Sequence, residues 1–148
     1  MTMFRRLLLS LSFLLLAPLV QAQQMPQVQL TAGMYRITAE LANTPQTRQI
    51  GLMHRQRMAE QHGMEFVFEF DAARCMWMRN TLLPLSVAFL DGDGTILNVE
   101  DMAPQTETNH CAAQPARYAL EMNQGWFAQR GIGAGDRIGG VSALRPGR

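Results

Sequence analysis

Six or more short strand-like runs, none longer than about eight residues, occupy the chain between Met34 and Ile138, each ended by glycine, proline, aspartate or a polar stretch. From Met34 to Leu41, Tyr35, Ile37, Ala39 and Leu41 recur at period two, which predicts a half-buried strand. Met64, Phe66, Phe68 and Phe70 alternate in the same way against Glu65, Val67 and Glu69. Further strands are predicted over Cys75–Met78, Leu85–Leu90, Thr95–Met102 and Arg117–Asn123, with a last one around Ile138. Asp91-Gly92-Asp93-Gly94 reads as the hairpin turn between two of them, because aspartate and glycine tolerate positive φ.

One helix interrupts the strands. Thr44-Pro45 has the form of an N-cap followed by proline at the first helical position. The helix is expected to carry Ile50 and Met53 on one face, with Gly51 inside it at a close approach to the sheet. A short helical turn is expected over Gln124–Arg130, and Ala103–Pro115 reads as a long loop. The fold class that follows is α+β, mostly antiparallel, with a small curled sheet or barrel and one main helix.

The first 22 residues predict a compartment. Arg5 and Arg6 precede an almost wholly apolar run from Leu7 to Val20, and Val20-Gln21-Ala22 presents residues that a signal peptidase reads. That run is about 14 residues, short of the ~20 a helix needs to cross a bilayer. A secretory signal over 1–22 is expected, cleaved between Ala22 and Gln23. One domain over 23–148 then remains, periplasmic or secreted, with no membrane span after signal removal. Cys75 and Cys111 are the only cysteines, and an even count in an oxidising compartment reads as one disulfide. Closing a loop of about 36 residues would stabilise the fold by roughly 3–4 kcal/mol. No C-x-x-C turn is present to make a redox pair.

All 13 basic residues are arginine. The absence of lysine excludes Schiff-base chemistry and a Ser–Lys dyad. Arg5 and Arg6 leave with the signal, so the domain has slightly more acidic than basic groups. It offers no basic field for nucleic acid and no polybasic membrane patch.

Five stretches carry a resemblance. They are RQIGLMHR (48–55), GMEFVFEF (63–70), CMWMRNTLLPLSVAFLDGDGTI (75–96), RYALEMNQGW (117–126) and GIGAGDRI (131–138). In this order and spacing they resemble the bacterial and archaeal family called domain of unknown function 192. The most specific part is W-M-x-N-T-x-x-P-L followed by F-L-D-x-D-G. The family usually has an aspartate where this chain has Ser86. The resemblance implies a β-rich fold, often behind an export signal, and brings no established activity.

The residues that could carry chemistry are few. The DGDG turn lacks the distal bidentate glutamate of a calcium loop. His54, His62 and His110 have no zinc-ligand spacing. Ser86 sits in Pro-Leu-Ser-Val, without the G-x-S-x-G elbow that exposes a nucleophile. No metal and no cofactor is implied. Methionines such as Met53, Met58, Met64, Met76 and Met78 suit either core filling or Cu(I). A polar cluster remains, with Trp77, Arg79, Asn80, Arg55 and Glu121 as candidate binding residues for a small polar or carboxylated ligand. Arg48, Thr81, Asn123 and Trp126 are expected nearby. The structural alternative is that Arg55–Glu121, or a similar pair, is a structural ion pair and that Asn80 caps a turn.

The reading reached from sequence is an exported, non-catalytic binding or envelope-associated module. Its partner would be an unknown envelope small molecule or protein, and not nucleic acid. Two alternatives stand beside it. One is a hydrolase of an envelope carbohydrate or peptide using paired carboxylates among Glu121, Asp101 and Glu100. The other is a periplasmic copper-handling protein marked by converging sulfurs.

Overall fold

The computed structural model describes residues 24–147, so the expected signal and its Ala22–Gln23 junction lie outside the described residues. Strands β1 (Gln27–Ala32) and β2 (Tyr35–Ala42) form an antiparallel hairpin with Leu30 opposite Ile37. Thr44 opens helix α1 (Pro45–Ile50) with a capping box: its hydroxyl accepts from the Thr47 N–H, and its own N–H donates to the Thr47 hydroxyl. The helix is the crossover that lets β3 (His62–Ala72) lie parallel to β2, with Ala39 opposite Gly63. Every other strand pair is antiparallel.

After β3 come β4 (Cys75–Met76), β5 (Leu85–Leu90), β6 (Ile96–Met102), β7 (His110–Cys111) and β8 (Ala116–Asn123). Helix α2 (Trp126–Gln129) and β9 (Ile138–Gly139) complete the order, followed by a 3-10 turn at Val141–Ala143. Seven strands form one curled sheet in the order β6-β5-β8-β3-β2-β1-β9, while β4 and β7 make a separate ribbon. The two ends of the large sheet meet. Thr95 bridges Arg137, the Ile96 N–H donates to the Asp136 carbonyl, and the Ile138 N–H donates to the Gly94 carbonyl. The expected small curled sheet or barrel is what forms. Gly94 makes the join possible: its φ is +86°, and a Cβ there would stand 2.6 Å from the Ile138 carbonyl oxygen.

The sheet has two apolar faces. Inside the curl, Leu30, Ile37, Val67, Leu90, Leu120, Trp126 and Phe127 pack together. On the outer face, Leu52, Met64, Phe66, Val87, Phe89 and Met102 form a second core under α1 and the 52–84 connections. Strands β3, β5 and β8 are therefore buried on both sides. That is why every residue of Leu85–Leu90 is buried and the segment is apolar but for Ser86, rather than alternating.

Four expectations need correction. The helix ends at Ile50, because Gly51 turns the chain at φ +50° and a Cβ there would sit 3.3 Å from the Phe66 ring; Met53 lies beyond it. The strand expected over Cys75–Met78 stops at Met76. Ala103–Pro115, expected as a long loop, contains β7, and β1, N-terminal to the first expected run, is an additional element.

Candidate functional site

Glu121 sits in the middle of β8, opposite Met64 on β3 and Val87 on β5, so its side chain belongs to the outer core. It is 4% exposed, and its carboxyl has no hydrogen-bond partner among the described residues. Burial pushes its carboxyl up to about 8, which makes it mostly neutral at physiological pH. The carboxyl is not sealed in. Together with Phe66, Leu52 and Thr81 it lines a cleft of about 40 Å³ whose walls are the end of α1 (Arg48 to Ile50), the turn Gly51–Met53, and Met76–Trp77. The rim is apolar and open, with Ile50 and Trp77 both exposed.

Each wall has a local cause. Arg48 anchors the α1 side by donating to the Val67 carbonyl (2.9 Å) and the Asn43 carbonyl (3.0 Å) and by pairing with Glu69 at 2.5 Å. Its guanidinium is therefore committed to β3, and Glu121 has no charge partner. The opposite wall is held by the disulfide, since Cys75 and Cys111 are joined directly across the β4–β7 ribbon. Met78 is fully buried just beyond it, and its N–H donates to the Thr106 carbonyl.

The five candidate binding residues separate in space. Glu121 and Trp77 line the cleft. Arg79 is exposed outside it, its guanidinium 5.5 Å over the Trp77 ring and 3.6 Å from Glu107. Asn80 adopts φ +54°, a conformation asparagine tolerates, and its carbonyl accepts the His54 N–H. Arg55 does not approach Glu121; it forms a two-pronged pair with Glu40 on β2, at 2.7 and 2.6 Å. The expected Arg55–Glu121 pair is thus replaced by Arg55–Glu40. The other tryptophan, Trp126, is only 2% exposed and packs edge-on to Tyr35 and Phe127, with Arg130 4.4 Å over its ring.

Other candidates lie elsewhere. The Ser86 hydroxyl donates to Asp101 and accepts the Gly125 N–H, so Ser86 and Asp101 staple β5 to β6 and the α2 turn. Glu100 flanks Val87 on the outer face but does not line the cleft. Met53 and Met76 both line it. Among the described residues no three His, Cys, Asp or Glu side chains group as metal ligands, and no helix is long and apolar enough to cross a membrane. One residue outside the sequence candidates stands out. Glu65 points into the curl with both carboxylate oxygens buried and unpartnered, and burial raises it well above the usual carboxylate range.

The model of the family described as "Uncharacterized ACR", DUF192, matches residues 28–140. No curated protein matches the sequence significantly. Two solved structures are similar. A protein described as a proposed transcription regulator from Sinorhizobium meliloti 1021 is 38% identical, with 78% of this chain and 93% of that chain covered and a TM-score of 0.73. A protein of unknown function from Novosphingobium aromaticivorans DSM 12444 is 32% identical, with 80% and 88% covered and a TM-score of 0.76.

Proposed function

This chain belongs to DUF192, an uncharacterised family, so its function has to be read from its own cleft, and we propose that it is an exported, non-catalytic binding module that uses the Glu121 cleft for recognition. The observation that carries this reading is Glu121 itself. An unpaired buried carboxyl costs folding stability, and a well-packed apolar side chain there would not. A residue kept at such a cost is better explained by a ligand than by the fold. The apolar leader and the Cys75–Cys111 bond support export, because disulfides persist in oxidising compartments. The regulator description of the S. meliloti protein is not transferred. Beyond the leader this chain has no lysine and slightly more acidic than basic groups, which leaves no footprint for DNA.

One observation favours a catalytic alternative. A carboxyl poised near pH 8 suits general-acid chemistry. Hydrolysis by paired carboxylates needs a second carboxylate at the same cleft, and neither Glu100 nor Asp101 lines it. Binding therefore has the stronger support.

The test compares Glu121→Met and Glu121→Gln with the parent protein. Both variants should match or exceed its melting temperature at neutral pH while losing retention of extracted envelope components. A strong loss of stability in both would mark Glu121 as structural and overturn the reading.

A further inference from the structure

The lining of the cleft is unusual in what it lacks. Its chemistry is electron-rich: the Glu121 carboxyl, the Trp77 indole, the Phe66 ring and the thioethers of Met53 and Met76. Two of its side-chain donors are committed. The Arg48 guanidinium is held by two carbonyls and Glu69, and the Thr81 hydroxyl donates to the Arg79 carbonyl at 3.2 Å. Two uncommitted side-chain donors remain, both on exposed residues: the amide of Gln49 and the indole N–H of Trp77. Only Arg48 and Glu121 among the lining residues are ionisable.

From this lining, and resting on the binding role proposed above, we propose that the cleft takes the ammonium head of a primary amine, with Glu121 as its counter-charge and Trp77 at the rim against the alkyl stem. Aromatic rings and a carboxylate are the usual partners of an organic cation. Size agrees. A water needs roughly 10–15 Å³ of such volume, so the 40 Å³ here holds about three groups of that size, an ammonium and two methylenes. An anion would meet an unpaired carboxyl. A neutral alcohol would leave Glu121 without the charge that its burial lacks.

The protonation balance gives the assignment its signature. Below pH ~8 the free cleft holds Glu121 protonated. An arriving ammonium displaces that proton to solvent, so one proton is released per amine bound. Affinity should rise about tenfold per pH unit up to about 8 and then level off. Arg48 is the other charged group lining the cleft, and it is paired with Glu69.

The experiment uses the full disulfide-bonded mature chain with n-butylammonium, n-butanol and butyrate as probes, followed by the carboxyl carbon of Glu121 and the Trp77 indole in NMR titrations. Saturable binding of n-butylammonium alone is expected, with that pH slope. Glu121→Gln should weaken it at least tenfold and abolish the slope. Preference for butanol or butyrate would overturn the ammonium assignment while leaving the binding cleft in place. Binding of none of the three, or tight uptake of Ag(I) lost on Met76→Leu, would overturn it too. The stability comparison of Glu121→Met decides separately whether the cleft is a site at all.

Discussion

Two buried glutamates on neighbouring strands make the protein sensitive to pH in one direction. Glu65 and Glu121 both have folded-state pKa values raised by burial, Glu121 to about 8. In the unfolded chain each ionises near 4.3. Below that value both states are protonated and stability is complete. As pH rises the unfolded state ionises first, so stability falls steadily until the folded carboxyl follows. One group contributes about 1.4 kcal/mol per pH unit across that window, a few kcal/mol in all. Urea midpoints should therefore drop between about pH 5 and pH 8, and Glu121→Gln should remove part of the slope. A midpoint that climbs over this range would refute the assignment of neutral carboxyls. The residue scale is also where sequence is least legible. Trp77 and Trp126 look alike in sequence, yet one is 44% exposed and the other 2%. Trp126→Ala should cost about 3–5 kcal/mol, and Trp77→Ala much less. Arg55 had several carboxylates within reach in principle; which it takes is a property of the folded chain. Its pair with Glu40 is part-exposed, so Arg55→Ala should cost no more than about 1 kcal/mol by chemical denaturation.

At the scale of elements, local chemistry predicts well where one principle governs. Thr44-Pro45 marks the start of α1, the Asp-Gly repeat marks the β5–β6 turn, and Leu85–Leu90 marks a strand buried on both faces. Val28, Leu30 and Ala32 alternate with Gln27, Gln29 and Thr31, a period-two signal for β1 that lies just before the first run read from Met34. The helix end was harder to place. Ile50 and Met53 have helical spacing, but Gly51 adopts a left-handed conformation that no periodicity reveals, and so the cleft wall turns there. Gly51→Ala should cost about 1–2 kcal/mol for the left-handed backbone, with the Phe66 contact adding to it. Its calorimetric melting temperature should fall while the Thr44 cap is intact. An unchanged melting temperature would mean that the turn relaxes freely.

At the scale of the whole molecule, the cleft is assembled from parts that no short motif contains. One wall comes from the crossover between two parallel strands and the floor from the last long strand of the sheet. The other wall comes from a ribbon whose only covalent tie is Cys75–Cys111. The pairing itself is legible from an even cysteine count, but its consequence for the site is not, because Met76 and Trp77 become a cleft wall only after the ribbon docks on the outer core. The disulfide thus ties the Met76–Trp77 wall of the cleft to β7. Replacing both cysteines with serine, or reducing the bond, should cost roughly 3–4 kcal/mol through the 36-residue loop it closes. It should also free the Trp77 side of the cleft before the sheet unfolds, because the seven-stranded sheet closes through Thr95–Arg137 and not through the ribbon. Tryptophan fluorescence in a Trp126→Phe background isolates Trp77. On reduction its emission should shift to the red and its quenching by acrylamide should rise, while far-ultraviolet circular dichroism stays constant. If Trp77 and the sheet signal change together, the ribbon and the barrel are one cooperative unit, and the disulfide holds the fold as a whole and not the cleft wall.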